Sequence, residues 1–332
     1  MAKTYTGIDI GASEIKMAVC VNGIIKHAAV FPMPENMIKK GEIASYEAMV
    51  PSLKNARRSG HIKAKEAALA LQLRQAYVKR LKVPKMTAAQ LSLNLPYEFR
   101  DFIPENKSRY FYDYYVIGQS EEGANEPFYE IMASAAEKEA VENYDVLLKR
   151  SGFKLRTLLP QELAYGNLLK AYEAANPSQK KKDYCIVDLG HEGTRVHLFE
   201  GGSFEVTRQI DIGGKDLDIA IAGVRDVDEF VARTYKHSNY EGVQLIPECQ
   251  AVYSSIALEI MRAINFYGFN YPQSSLDKIY LCGGGSKIGP LIKQIRENIR
   301  VDIDGIAQLM PNTAKNIDNP FLYPIALGVT MQ

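Results

Sequence analysis

Apolar and polar residues alternate from the start of the chain, and the alternation breaks at turn-forming residues. Tyr5-Thr6-Gly7-Ile8-Asp9-Ile10 reads as a strand, and a second β-type run covers residues 14–21. A third run fills residues 24–31, set off by Asn22-Gly23. That dipeptide favours a two-residue hairpin turn because both positions accept positive φ. Ser45 then offers an N-cap for a helix with Met49, Leu53 and Ala56 on one face, ended by Gly60. Residues 66–83 read as one further strand-like stretch, closed by Pro84.

Beyond Pro84 the texture changes. Thr87-Ala88-Ala89-Gln90 starts a helix, and Tyr110-Phe111-Tyr112-Asp113-Tyr114-Tyr115-Val116 reads as an aromatic strand. A polar loop over residues 120–125 leads to a strand over 128–134. A helix follows from Ala136, with Val141, Tyr144 and Leu148 on one side and Gly152 at its end. This block, residues 85–155, is expected to be a small α/β insertion. It interrupts a first half that covers residues 1–84 and resumes over 156–182, where 158–175 read as helix and 176–182 as a polar hinge.

The opening pattern then returns. Tyr184-Cys185-Ile186-Val187-Asp188-Leu189-Gly190 is a strand ending in Asp-x-Gly, as Thr6-Gly7-Ile8-Asp9-Ile10-Gly11 is. A second run follows over residues 194–199, Gly201-Gly202 takes the place of Asn22-Gly23, and a third run covers 204–212. Residues 183–332 are therefore expected to repeat the supersecondary unit of the first half.

Composition narrows the function. The 332 residues are 46% hydrophobic and 24% charged, enough for two domains of an ordinary globular protein. A net charge of +1 provides no overall basic field for nucleic acid. No apolar run approaches the roughly 18–20 residues of a membrane span, and the N-terminus lacks a signal-peptide core. Cys20, Cys185, Cys249 and Cys282 stand far apart and read as buried free thiols. A cytoplasmic location is the expectation.

Three segments carry candidate chemistry. A glycine just past a strand lets backbone approach a phosphate, and the N–H groups of such a turn form an anion-binding concavity. An aspartate at the strand end suits Mg²⁺, which keeps several waters and takes one or two carboxylates. Asp9 and Asp188 each head such a turn, and the repetition is more specific than either turn alone. In the third segment, Lys278-Ile279-Tyr280-Leu281-Cys282 runs into Gly283, Gly284, Gly285 and Ser286 before a helix-like stretch over 288–296. Its spacing is neither that of a Walker loop nor that of a Rossmann turn. His191 lies between glycines and His197 within a strand, so both read as structural.

The order of these motifs resembles the ATPase superfamily of actin, heat-shock chaperones and sugar kinases. Pro160-Gln161-Glu162-Leu163-Ala164-Tyr165-Gly166 is similar to its first connecting helix, and Tyr323-Pro324-Ile325-Ala326-Leu327-Gly328 to its closing one. Over nearly the full length the chain most resembles the PilM family of type IV pilus assembly, and next the FtsA family of cell division. The resemblance rests on Asp9-Ile10-Gly11-Ala12-Ser13-Glu14-Ile15-Lys16 and on Leu81-Lys82-Val83-Pro84-Lys85-Met86. It rests also on Gly213-Gly214-Lys215-Asp216-Leu217 and on the segment from Glu259 to Tyr267. It implies an α/β actin-like ATPase fold of duplicated ribonuclease H-like domains. The inserted small subdomain would be of the type that PilM and FtsA share, and a peripheral subdomain would lie near residues 214–272.

The same resemblance implies roles. Asp9 and Asp188 would hold Mg²⁺ through water. Gly11, Ala12 and Ser13, with Gly190, Gly193 and Thr194, would cradle the phosphates of ATP, and Lys16 would be a charge partner. Gly213 and Gly214 belong to the same nucleotide site. Gly283, Gly284, Gly285 and Ser286 would line the adenosine, and Glu259 with Arg262 would reach the purine or ribose. Gln161 takes the position that orients the attacking water. A glutamine orients water but is no general base, so at most slow ATPase activity is expected.

The function implied is an adaptor that docks the cytoplasmic N-terminal peptide of a PilN-like inner-membrane protein, in pilus or related type II secretion assembly. Self-association stays open. FtsA proteins end in a basic amphipathic helix, whereas this sequence stops at Gln332 just after the closing motif. Recruitment to the inner membrane face through a partner, without direct insertion, is therefore expected. A small-molecule kinase would need a carboxylate base facing a substrate hydroxyl, and none stands out over residues 74–84.

Overall fold

In the computed structural model, β1 (Thr4–Ile10), β2 (Glu14–Val21) and β3 (Ile24–Pro32) form an antiparallel meander. Asn22 and Gly23 take φ of 50° and 72° between β2 and β3, as their sequence requires. The structure describes residues 3–39, 41–72, 75–103, 107–121, 123, 125–179, 181–310 and 317–331. Arg74, Glu122 and Ala124 of the polar loop, Lys180 of the hinge and Gln332 lie outside the described residues.

After the meander come the short pair β4 (Ile38–Lys39) and β5 (Glu42–Ile43), then α1 (Tyr46–Ser59) and β6 (Glu66–Leu71). Ser45 caps α1, its Oγ accepting from Ala48 N at 3.3 Å. β7 (Ala76–Pro84), α2 (Ala88–Glu98), β8 (Tyr110–Gln119) and β9 (Phe128–Glu137) follow, then α3 (Lys138–Arg150), β10 (Lys154–Pro160) and α4 (Gln161–Ala175). Thr87 and Gln90 cap α2 reciprocally, satisfying two N-terminal donors.

The later elements are β11 (Tyr184–Leu189), β12 (Thr194–Glu200), β13 (Ser203–Ile210), α5 (Gly214–Arg225), α6 (Glu229–Ser238) and α7 (Pro247–Asn270). β14 (Lys278–Cys282), α8 (Gly289–Asn298), β15 (Asp302–Gly305) and α9 (Pro324–Gly328) complete them.

Contacts divide the chain into two units. One comprises residues 1–168, 203–205 and 325–332, the other 169–202 and 206–324. In the first, a five-stranded sheet has the order β10-β6-β1-β2-β3, and β7-β9-β8 form a separate three-stranded sheet. The main core gathers Ile8, Met17, Leu53, Leu69 and Tyr144, all essentially inaccessible. A smaller one joins Leu91, Leu95 and Phe99 of the α2 region to Ile131 and Ala133 of β9. In the second unit the sheet order is β13-β12-β11-β14-β15, a meander followed by parallel strands, as in the first. Its core packs Val187, Leu281 and Ile303 against Leu217, Tyr253, Ile260 and Ile295.

Two sequence expectations are corrected. The stretch 66–83 is two strands in two different sheets, β6 and β7, separated where Gln75 N bonds back to Gln72 O at 2.9 Å. Residues 158–160 are strand rather than helix: they pair in parallel with β6. Pro160 disfavours helical backbone at Leu159, so α4 begins only at Gln161.

One close approach in the first unit depends on a missing side chain. A Cβ on Gly7 would sit 1.6 Å from the Ala326 carbonyl oxygen, so β1 carries α9 directly on its backbone. No helix among the described residues is long and apolar enough to cross a membrane.

Candidate functional site

In the first unit β1, β6 and β10 run parallel, with Ile8, Leu69 and Leu158 in one row. Their carboxyl ends therefore share an edge, the side on which parallel α/β sheets bind ligands. Asp9, Gln72 and Gln161 all emerge there. The turn after Asp9 closes when Gly11 N donates to Glu14 O at 2.9 Å, and Ser13 O accepts from Met33 N at 2.9 Å. Asp9 is 4% exposed and lies across the ladder from Lys16, whose Nζ is 3.3 Å from Asp9 Oδ2. Gln72 was missed in the sequence; its Nε2 donates to Ile10 O at 2.9 Å and fixes the entry to the turn. A polar residue just past the apolar run of residues 67–71 was the available signal.

Gln161, the first residue of α4, is 1% exposed, and its Nε2 has no hydrogen-bond partner. A buried donor left unpaired costs about 1–3 kcal/mol, so the amide is suited to a water or ligand atom.

The second unit repeats the arrangement. Asp188 pairs across the ladder with Arg195, as Asp9 does with Lys16, and Arg195 Nη1 lies 3.9 Å from its Oδ2. Arg195 was also missed, although it stands at the spacing from Asp188 that Lys16 keeps from Asp9. Gly190 N donates to Gly193 O at 3.1 Å and closes the turn. Gly213 and Gly214 open α5 and lie against that turn, with Gly214 N donating to Gly190 O at 3.0 Å. Gly213 N donates to Asp216 Oδ2 at 2.8 Å, so these two glycines shape the turn with N–H groups already bonded. Thr194 spends its hydroxyl on Ile212 O at 3.0 Å and is fully buried, a tie between loops.

β14 runs parallel to β11 with Asp188 beside Cys282, so the glycine-rich segment leaves the sheet next to Asp188. Gly283 has φ 83° and ψ 172°, a conformation open almost only to glycine. A Cβ there would lie 2.3 Å from Asp188 Oδ1 and 2.7 Å from Leu189 O. Gly284 has open space beside it, Gly285 packs on Leu189, and Ser286 Oγ donates to Cys282 O at 2.9 Å. Glu259 and Arg262 pair with each other on the exposed side of α7, away from buried Tyr253, Ile256 and Ile260.

His191 is mostly buried and bonded to Arg233, and His197 bonds Thr207 Oγ1 at 2.8 Å. Burial first, and nearby cations second, push both imidazoles down to about 3. All four cysteines are buried and free.

The donor set suits a magnesium nucleotide. Each sheet offers one nearly buried carboxylate beside a glycine turn, the carboxylate has a cation opposite, and Gly283 leaves the approach to Asp188 clear of any side chain.

Comparison with known proteins bears on the fold and the family. A family profile described as type IV pilus assembly protein PilM matches residues 7–317. A cell division protein FtsA from Pseudomonas aeruginosa is 22% identical over 251 residues, 66% of this chain and 57% of that protein. The chain thus spans little more than half the length of that relative. A solved PilM-PilN type IV pilus biogenesis complex aligns over 98% of this chain and 97% of the matched one, with TM-score 0.80 and 23% identity. Ethanolamine utilization protein EutJ from Carboxydothermus hydrogenoformans aligns over 100% and 89%, with TM-score 0.61 and 16% identity. MreB5 of Spiroplasma citri, solved bound to ADP, aligns over 99% and 95%, with TM-score 0.51 and 13% identity. The fold is the actin-like ATPase fold, and with the profile matched along almost its entire length the chain belongs to the PilM family of type IV pilus assembly proteins.

Proposed function

We propose that the chain is an ATP-binding adaptor that docks the cytoplasmic N-terminal peptide of a PilN-like inner-membrane protein during pilus assembly. The nucleotide part is carried by one observation: both sheets end in a nearly buried aspartate beside a glycine turn, with a basic residue across the ladder. Asp9 and Asp188 would hold Mg²⁺ through water, and Mg²⁺ when bound would neutralise phosphate charge. Gly11, Ala12 and Ser13 would cradle phosphate in the first unit; Gly190 and Gly193, with Gly213 and Gly214 packed against their turn, would do so in the second. Residues 283–286 would pack the adenosine, with Glu259 and Arg262 toward the purine or ribose. Gln161 would orient a water without removing its proton, which supports slow turnover at most.

The partner part rests on family membership and on the likeness to a PilM-PilN complex. The three-stranded sheet with α2 is proposed as the inserted subdomain through which nucleotide state reaches the peptide. The protein itself would then sit in the cytoplasm and reach the inner membrane face through that peptide.

Calorimetry with Mg-ATP on wild type and Asp188→Ala tests the nucleotide reading. Micromolar or tighter binding by the wild type, lost in the variant, is expected; no heat from the wild type sinks it. Fluorescence anisotropy with a labelled partner peptide tests the adaptor reading, and an anisotropy that stays flat with and without nucleotide counts against it.

A further inference from the structure

The second glycine turn is not held by its own sheet alone. Lys215 N donates to His191 O at 2.8 Å and Gly214 N to Gly190 O at 3.0 Å, so the turn is bound to the start of α5. Behind that junction lies Asp218 of α5, which is fully buried. A lone buried carboxylate is costly, and here α6 supplies the compensation. Lys236 Nζ lies 2.5 Å from Asp218 Oδ1 and also donates to Gly214 O at 2.6 Å. Arg233 Nε donates to Asp218 Oδ2 at 3.2 Å.

Arg233 also extends to the turn. Its Nη2 lies 3.1 Å from His191 Nε2. A guanidinium only donates, so Nε2 must present its lone pair and the ring hydrogen must sit on Nδ1. Nδ1 in turn lies 3.8 Å from Asp218 Oδ2. One guanidinium therefore braces the imidazole of the turn and the carboxylate beneath it with two differently directed N–H groups. Lysine has no such rigid fork.

We propose that Arg233 is a positioning residue for the phosphate-binding turn of the second unit, acting through His191 and anchored by Asp218 and Lys236. The inference rests on the nucleotide reading above but is not exhausted by it. Arg233 holds the turn in the conformation that accepts phosphate, and α6 thereby becomes mechanically tied to the occupancy of the site.

The test uses the full chain. Mg-ATP affinity, apo melting temperature and hydrogen exchange of the peptides covering residues 190–194 and 213–215 are measured for wild type, R233Q, R233K, H191L and H191Q. R233Q, R233K and H191L are expected to weaken Mg-ATP binding about tenfold, the scale of one charge-assisted hydrogen bond. They should also speed exchange in the turn. R233Q and R233K lower apo melting as well, because buried Asp218 loses a partner, whereas H191L leaves that pair intact and moves apo melting little. H191Q keeps an accepting oxygen toward Arg233 and is expected to recover most of the affinity lost in H191L. Wild-type affinity and exchange in R233Q overturn the proposal, as does a loss in H191Q equal to that in H191L. If the wild type binds no nucleotide, the functional reading fails, and turn exchange alone still decides whether Arg233 positions the turn.

Discussion

Adding one methyl group at Gly283 should damage both the second unit and its site. At φ 83° and ψ 172°, an alanine occupies backbone space reserved for glycine, at about 1–3 kcal/mol. The new Cβ also meets Asp188 Oδ1 at 2.3 Å. Ordinary carbon–oxygen contact begins near about 3.4 Å, so the carboxylate must retreat by roughly 1 Å. A displacement of that size in a carboxylate proposed to organise a metal is worth up to about 100-fold in function. Gly283→Ala is therefore expected to melt about 2–12 °C lower, at roughly 2–4 °C per kcal/mol for a unit of this size. Its Mg-ATP affinity should fall at least about tenfold. Differential scanning calorimetry and isothermal titration on the same preparation read both effects. Wild-type melting together with wild-type affinity would refute the reasoning, because strain and displacement cannot both be absent if Gly283 lies against Asp188.

Three other outcomes are expected. Gly7→Ala places a Cβ 1.6 Å from the Ala326 carbonyl and should cost about 3 kcal/mol, the upper range for overpacking; equilibrium urea unfolding with an unchanged midpoint contradicts it. Gln161→Glu supplies the missing base and should raise single-turnover ATP hydrolysis about 100-fold, so an unchanged rate argues that Gln161 does not face the attacking water. His191 and His197 have folded pKa values depressed to about 3 from 6.5, so the unfolded chain binds their protons first on acidification. Their contribution to stability is complete above pH 6.5 and lost progressively toward pH 3. A melting temperature recorded across that window should fall with pH, and less steeply in H197Q; parallel curves count against it.

Local chemistry was legible and long-range chemistry was not. Asn22-Gly23, the Thr87–Gln90 capping box and the two Asp-x-Gly turns are each specified within a few residues, and each forms. The duplicated meander followed from that repetition. The separation of β6 from β7 was hidden because β-type character continues on both sides of the turn. Leu158 looked helical because an apolar run has no period of its own until its pairing with β6 is known. At the candidate site, the aspartates and glycines were singled out by motif, whereas the partners that hold their turns were not. Gln72 acts on Ile10 across 62 residues and Arg233 on His191 across 42, and no local pattern encodes such pairs. Arg195 was within reach, since the repeat placed it opposite Asp188 just as Lys16 stands opposite Asp9.

The seat of α9 on Gly7 bears on how the protein is made. The first unit draws together residues from 1–168 and 325–332, with Asn167 Nδ2 donating to Gly328 O at 3.0 Å. On a ribosome, β1 emerges long before its backbone cover, because Gly7 and Ala326 are far apart in the sequence. The second unit is supplied by intervening residues and has most of its contacts sooner. Such long-range closure slows folding and leaves an intermediate waiting with an open surface. Nascent-chain truncations ending before Ile325 should therefore be protease-sensitive across β1 and α4, while β11, β14 and α7 already resist cleavage.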